Sequence, residues 1–233
     1  VERSNDLLDF ADREIVEALV YHMRNLDCIF RLGEEVEEVM SGPGQAVAKL
    51  KSGKTIVSEL LLYSTGRVGA TAALDLPAVG LSADERGRLA VDEHYRTSQS
   101  HIYAVGDVVG FPSLASTSME QGRIAACHAF GIEYHSSPDH FPYGIYAVPE
   151  LSMVGQTEQE LTAAAVPYEV GLARYREIAR GNILGDDTGM LKLLFHRETR
   201  RLLGVHIIGA EATELVHIGQ AVLAFNGTLE YFV

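Results

Sequence analysis

The sequence predicts an α/β module followed by an α+β module. Three observations predict it. A strand-like start, a helix and a second strand give the βαβ rhythm of a parallel sheet. Short strands between glycine-rich turns then lead into a continuously apolar run, "ELLLYS", of the kind found in sheets buried on both faces. Beyond "GIEYHSSPDHFPYG" the strands and helices segregate, as they do in α+β folds.

The opening "VERSNDLLDF" starts with a strand-like Val and an acid, and reads as the tail of a strand that begins upstream. A helix follows, with Asp9 as the predicted N-cap and Asp12 in its first turn. Ile15, Val16, Leu19, Val20 and Met23 make its apolar stripe, and it ends near Asn25. "CIFRL" (28–32) is the next predicted strand. "VEEVM", "AVAKL" and "TIVSELLLYST" are separated by the turn signals "SGPGQ" and "KSGK", which predicts an antiparallel meander with a buried last strand. "HIYAVG" reads as another buried strand, and a helix is predicted from about position 113 to 130.

After the polar linker, "IYAVPELSMVGQ" is a strand broken by Pro149. "TEQELTAAA" opens a helix with a capping box, Thr157 and Glu160. "YEVGLARY", "MLKLLFH" and "RLLGVHIIG" are strands, the last two joined by the hairpin "RETR". "EATELVHIGQAVLAF" is an amphipathic helix with Leu215, Ile218, Val222 and Phe225 predicted on its apolar side.

The composition excludes some functions. The chain has 233 residues, 47% hydrophobic and 22% charged, as expected of a soluble cytoplasmic protein with ample core. No run is long enough to span a bilayer, and the N-terminus lacks the pattern of a signal peptide. With 32 acidic against 19 basic residues and a net charge of −13, no basic stripe offers a nucleic-acid interface. The two cysteines, Cys28 and Cys127, form no C-x-x-C pair, so the chain carries no dithiol centre of its own. Histidines 128, 135, 140, 206 and 217 show no zinc-ligand spacing with carboxylates, and no metal site is expected. No G-x-S-x-G marks a serine nucleophile.

Three places can carry chemistry. Glu2, at the end of a strand before a helix, is where a dinucleotide-binding βαβ unit holds ribose hydroxyls. Taken alone it reads first as an ordinary surface acid, since the glycine fingerprint that would decide it lies upstream, and Arg3 beside it leaves NAD versus NADP open. In "STGR", Gly66 permits close backbone approach and Arg67 offers a fork of donors to a pyrophosphate or carboxylate; a simple turn is the plain alternative. In "HIYAVGDVVGFPSLASTSME", Asp107 stands behind Gly106 at a strand's end, where a carboxylate can accept from sugar hydroxyls. A helix starts around Ser113, and its free N–H groups favour a negative ligand atom. A closely packed core helix is the alternative there.

The run "HIYAVGDVVGFPSLASTSMEQGRIAA" resembles the second flavin-binding motif of the pyridine nucleotide-disulfide oxidoreductase superfamily. "LLYSTGRVGAT" and "VERSNDLLDFADREI" resemble segments of its NAD domain, and "YGIYAVPELSMVGQTEQELTAAAVPYEVG" the start of its interface domain. More narrowly, the stretch from "VPYEVGLARYREIARG" to "ELVHIGQAV" is similar to bacterial soluble pyridine nucleotide transhydrogenases. The resemblance implies partial Rossmann-like NAD(P)- and FAD-binding domains followed by an α+β interface domain. It places the NAD(P) remainder at 1–66, a central FAD segment at 67–134, a linker at 135–140 and a dimerisation domain at 141–233.

The implied enzyme uses FAD to pass hydride between NADH and NADP(H), as an NAD(P)+ transhydrogenase of the Si-specific type. Gly106 and Asp107 would serve the flavin, Asp107 on its ribityl chain, with the backbone of Ser113, Leu114 and Ala115 at its pyrimidine edge. Glu2, Gly66 and Arg67 would serve NAD(H) or NADP(H), and the C-terminal domain would form a homodimer. The resemblance further implies a fragment lacking the N-terminal FAD domain and the extreme C-terminus, inactive alone. Two other readings stay open: a disulfide reductase of the dihydrolipoamide dehydrogenase type, or a non-catalytic dimerisation fragment.

Overall fold

In the computed structural model, which describes residues 1–135 and 140–233, the first helix is entered through Asp12 rather than Asp9. Helix α1 (Arg13–Asn25) has Asp12 as its N-cap, extended in backbone, with its carboxylate accepting from the Glu14 N–H. Ile15, Val16 and Leu19 are its buried face, as the apolar stripe predicts. Strands β1 (Val36–Gly42), β2 (Gln45–Leu50) and β3 (Thr55–Ser58) form the predicted meander, an antiparallel sheet in the order β1-β2-β3. Gly42 pairs with Gln45 across a two-residue turn, which requires the positive φ (72°) of Gly44.

Helix α2 (Ala115–Ala129) comes next, followed by β4 (Tyr143–Ile145), β5 (Leu151–Gly155) and α3 (Glu158–Ala163). The chain continues through β6 (Tyr168–Arg174), α4 (Ala179–Leu184), β7 (Met190–His196), β8 (Leu202–Ile208) and α5 (Ala212–Ala224). The last five strands form one antiparallel sheet in the order β4-β5-β8-β7-β6. The capping box forms as predicted, with Thr157 accepting from the Glu160 N–H and Glu160 accepting from the Thr157 N–H. Residues 136–139 of the predicted linker lie outside the described residues. No helix among the described residues is long and apolar enough to cross a membrane.

Three runs differ from the prediction. Positions 28–32, 59–64 and 101–105 join no strand ladder, and no parallel ladder forms among the described residues. The run expected to be buried on both faces instead exposes Leu60 (88%) and Leu62 (90%). A strand of a parallel sheet is defined by its neighbours, and these runs make at most isolated contacts, such as the Arg96–Tyr103 bridge and the bond from the Glu2 N–H to the Arg31 carbonyl, and no continuous ladder. Helix α4 was not foreseen because Gly181 interrupts its pattern. Only glycine fits there, since a Cβ would lie 1.9 Å from the Tyr175 carbonyl oxygen.

The chain divides into two compact units, Val1–Leu62 with Asp139–Val233, and Tyr63–Pro138. In the first unit α5 buries Ala212, Val216, Gly219, Val222 and Leu223, so of the predicted stripe only Val222 faces inward. Gly219 sets that orientation: a Cβ there would meet the Val205 side chain at 2.5 Å. Leu215 and Ile218 line an apolar cavity of about 440 Å³, and Phe225 is 85% exposed.

The centre of this unit is ionic. Lys192 on β7 is fully buried, and its ammonium reaches Asp12 (2.9 Å), Glu14 (3.0 Å) and Glu158 (2.5 Å). Asp12 thus caps α1, pairs with Lys192 180 positions away, and accepts from the Glu158 N–H at the start of α3. The three carboxylates sit within 4.8 Å of one another, the spacing of a cation site, and Lys192 is the cation. Burial works against the charge of Lys192, but its hydrogen bonds to Glu158, Asp12 and Glu14 raise its pKa overall. Burial likewise opposes the charge of Asp12, and the bond from Lys192, the nearby positive charge and the Glu158 N–H together outweigh it, so that its pKa is lowered. Opposite Lys192 on β8 stands His206, also fully buried, with Nε2 donating to the Gln156 carbonyl (3.0 Å). Desolvation holds its pKa below the ordinary 6.5.

Lys192→Met should destabilise the unit by about 3–5 kcal/mol, because it strands buried carboxylates without a counter-ion; urea unfolding followed by circular dichroism measures this. The lowered pKa of His206 has a definite sign in stability. The unfolded chain takes up a proton below about 6.5 while the folded one does not, so stability present above that pH is lost on acidification towards the folded pKa. Melting temperatures recorded from pH 8 to pH 5 should therefore fall less steeply for His206→Gln than for the wild type.

Candidate functional site

The predicted flavin residues lie in the second unit, on a 3₁₀ turn at Gly106–Val109 that runs into α2. Gly106 has φ of 80°, and its N–H donates to the buried Gln121 amide (2.7 Å), so α2 fixes the start of the turn. A Cβ at this glycine would stand 3.2 Å from the Ser118 hydroxyl. Asp107 follows with its side chain 46% exposed, and Arg67 Nη1 donates to its Oδ2 at 2.9 Å. The chain thus brings together Gly66, Arg67, Gly106 and Asp107, forty positions apart in sequence.

A turn at 84–89 holds that pair in register. Asp84 Oδ1 accepts from the N–H groups of Arg86 and Arg88 (both 2.8 Å), and the bond from Arg88 chiefly keeps its pKa low. On one side Gly69 donates to the Arg86 carbonyl (2.7 Å) and Thr71 Oγ1 to that of Gly87 (3.0 Å). The backbones of Gly69 and Gly87 are so close that a Cβ on Gly69 would fall 2.0 Å from the Gly87 oxygen. On the other side the Leu89 N–H donates to the Val108 carbonyl (2.9 Å). The backbone, rather than the ion pair itself, sets the spacing between Arg67 and Asp107.

Helix α2 begins at Ala115, two positions later than predicted, with Leu114 as N-cap. Leu114 has no side-chain acceptor and no side chain caps this end, so the positive end of the helix is left to solvent or ligand. Ser113, Ala115 and Ser116 are exposed there, while Thr117 is buried and ties the turn by donating to the carbonyls of Pro112 and Leu114 (both 2.9 Å). The far end of α2 is fixed by a feature that sequence reasoning missed. His94 and His128 stack with centroids 4.2 Å apart, and each Nδ1 bonds a tyrosine hydroxyl, Tyr134 (2.7 Å) and Tyr103 (2.8 Å). No sequence motif signals it, because the partners come from three separate segments.

These residues fit a flavin. A half-exposed carboxylate can accept from a polyol chain, and an uncapped 15-residue helix offers donors to the electron-rich edge of the ring. Glu2, in the other unit, accepts from the Ser4 N–H through its own carboxylate, and its backbone is bonded to Arg31 and Glu34.

Residues 1–122 match the family model described as pyridine nucleotide-disulphide oxidoreductase, and residues 141–233 match that family's dimerisation domain. A soluble pyridine nucleotide transhydrogenase of Mycobacterium bovis is 56% identical over all 233 residues, and one from Yersinia pestis 50% identical over 232. The chain spans about half the length (50%) of each of these curated relatives. Among solved structures, LpdA of Mycobacterium tuberculosis superposes with a TM-score of 0.90 at 24% identity, over 98% of this chain and 50% of its own. The HOCl-induced flavoprotein disulfide reductase RclA of Escherichia coli gives 0.88 at 26%, over 97% and 52%.

Proposed function

The chain belongs to the pyridine nucleotide-disulphide oxidoreductase family, and from that membership we propose that it forms part of an FAD-dependent soluble NAD(P)+ transhydrogenase. The observation that carries the reading is Asp107, a half-exposed carboxylate beside the uncapped start of α2, in a chain 56% identical throughout to such an enzyme. The proposed reaction passes a hydride from NADH to NADP+, giving NAD+ and NADPH, with the Si-specific stereochemistry implied by the resemblance. Bound FAD supplies the two-electron chemistry that links the two dinucleotides.

The chain's own residues then bind and orient. Asp107 accepts hydrogen bonds from the ribityl hydroxyls, behind a Gly106 that lets the backbone pass close to α2. The first turn of α2, with the backbone of Ser113, Leu114 and Ala115 at its approach, favours negative charge at the pyrimidine edge, a preorganised electrostatic effect. Glu2 and Gly66 are assigned to the NAD(H) or NADP(H) side, with Glu2 on ribose hydroxyls. The domain assignment 1–66, 67–134 and 141–233 and a cytoplasmic location belong to the same proposal.

Because the relatives are about twice as long, the activity is assigned to a longer polypeptide, and the 233 residues alone are expected to be inactive. A homodimer is proposed through the module at 141–233, where α5 carries apolar side chains on a second, exposed face at Leu215, Ile218 and Phe225.

In the full-length protein, NADH should reduce an NADP+ analogue, and lipoamide should be a poor substrate. Reduction of lipoamide alone would replace this reading with the dihydrolipoamide dehydrogenase type, and a purified protein with no flavin absorbance near ~450 nm would leave only the non-catalytic one. Ile218→Glu should shift the full-length protein from dimer towards monomer by light scattering, since it puts a charge into an apolar contact.

A further inference from the structure

The pairing of Arg67 with Asp107 carries an inference that rests on the flavin reading and extends it. Arg67 is 83% exposed in its side chain, and an exposed ion pair of this kind contributes little to stability. Its placement is nevertheless strongly determined. Two backbones without side chains meet at Gly69 and Gly87, and the turn fixed by Asp84 joins that contact to Val108, next to Asp107. A backbone arrangement open only to glycine that holds a weak surface pair is accounted for if the pair gains its value when a ligand displaces the surrounding water.

We propose that Arg67 is a positioning residue for the flavin and acts through Asp107. The guanidinium occupies Oδ2 of the carboxylate, which would leave Oδ1 to accept from the hydroxyls of the ligand's polyol chain. It also provides the countercharge that the carboxylate needs once the ligand has stripped its water. Arg67 is then assigned to the flavin side of the site, not to the nicotinamide dinucleotide.

The test is a double-mutant cycle on the full-length flavoprotein, stripped of flavin and reconstituted with FAD. Dissociation constants come from flavin fluorescence, and visible circular dichroism reports the ring's environment. Arg67→Gln should weaken FAD binding about tenfold, the worth of one charge-assisted hydrogen bond. Arg67→Lys should restore most of that loss, and Asp107→Asn should weaken binding at least as much as Arg67→Gln. Arg67→Gln in the Asp107→Asn background should add no further loss, and both single variants should change the circular dichroism in the same sense. Additive losses in the double variant would show that Arg67 touches the ligand itself and would overturn the proposal. So would Arg67→Gln binding FAD within about twofold of wild type while Asp107→Asn is weakened. If Asp107→Asn alone leaves FAD affinity unchanged, the flavin reading of the site fails, and the proposal falls with it.

Discussion

The first unit is organised around one buried ammonium. Lys192 brings α1, β7 and α3 to a common point through Asp12, Glu14 and Glu158, although these elements are widely separated in the chain. Apolar contacts among Ile15, Leu19, Leu151, Met190 and Ile208 would let α1 slide or rotate on the sheet, because hydrophobic burial has no direction. A carboxylate that must cap one helix, accept from the first N–H of another and meet a buried lysine admits one docking only. The ionic centre therefore gives register to a core whose adhesion is apolar. His206, opposite Lys192 on the neighbouring strand, is fully buried in the same layer.

The second unit solves a related problem with backbone rather than charge. Its candidate site needs two side chains from distant loops at a fixed separation, and the Gly69–Gly87 contact with the turn at 84–89 supplies the spacer. Glycine is required because any side chain would force the two strands of backbone apart. The separation of Arg67 and Asp107 is thus set by backbone contacts that involve neither side chain.

Much of this was legible in the sequence where local chemistry decides structure. The turn at Pro43–Gly44, the capping box at Thr157 and Glu160, the hairpin after β7, the C-terminal end of α1 and the extent of α2 all follow from residue type and spacing. Asp107, Gly106 and the start of α2 could be singled out for the same reason. What could not be read was everything set by distant partners. Asp9 and Asp12 are both good caps, and only Lys192 selects Asp12. The inward face of α5 could not be chosen because the helix carries apolar residues on two faces, and Gly219 rather than Leu215 or Ile218 fits against β8. The apolar runs at 28–32, 59–64 and 101–105 have the composition of buried strands, but ladder formation depends on neighbours that composition does not specify.

The exposed stretch after β3 has a consequence for handling the polypeptide. Strand β3 is an edge of its sheet, and the chain leaves it through Glu59 into Leu60-Leu61-Leu62-Tyr63, a run uncharged and without proline. Such a segment next to an open edge is a template for strand addition by other copies, the starting point of amyloid-like aggregation. The net charge of −13 opposes that association by mutual repulsion, and salt weakens the repulsion. An exposed apolar run beside an open edge and a diffuse negative charge thus act in opposite senses on self-association, with ionic strength as the lever.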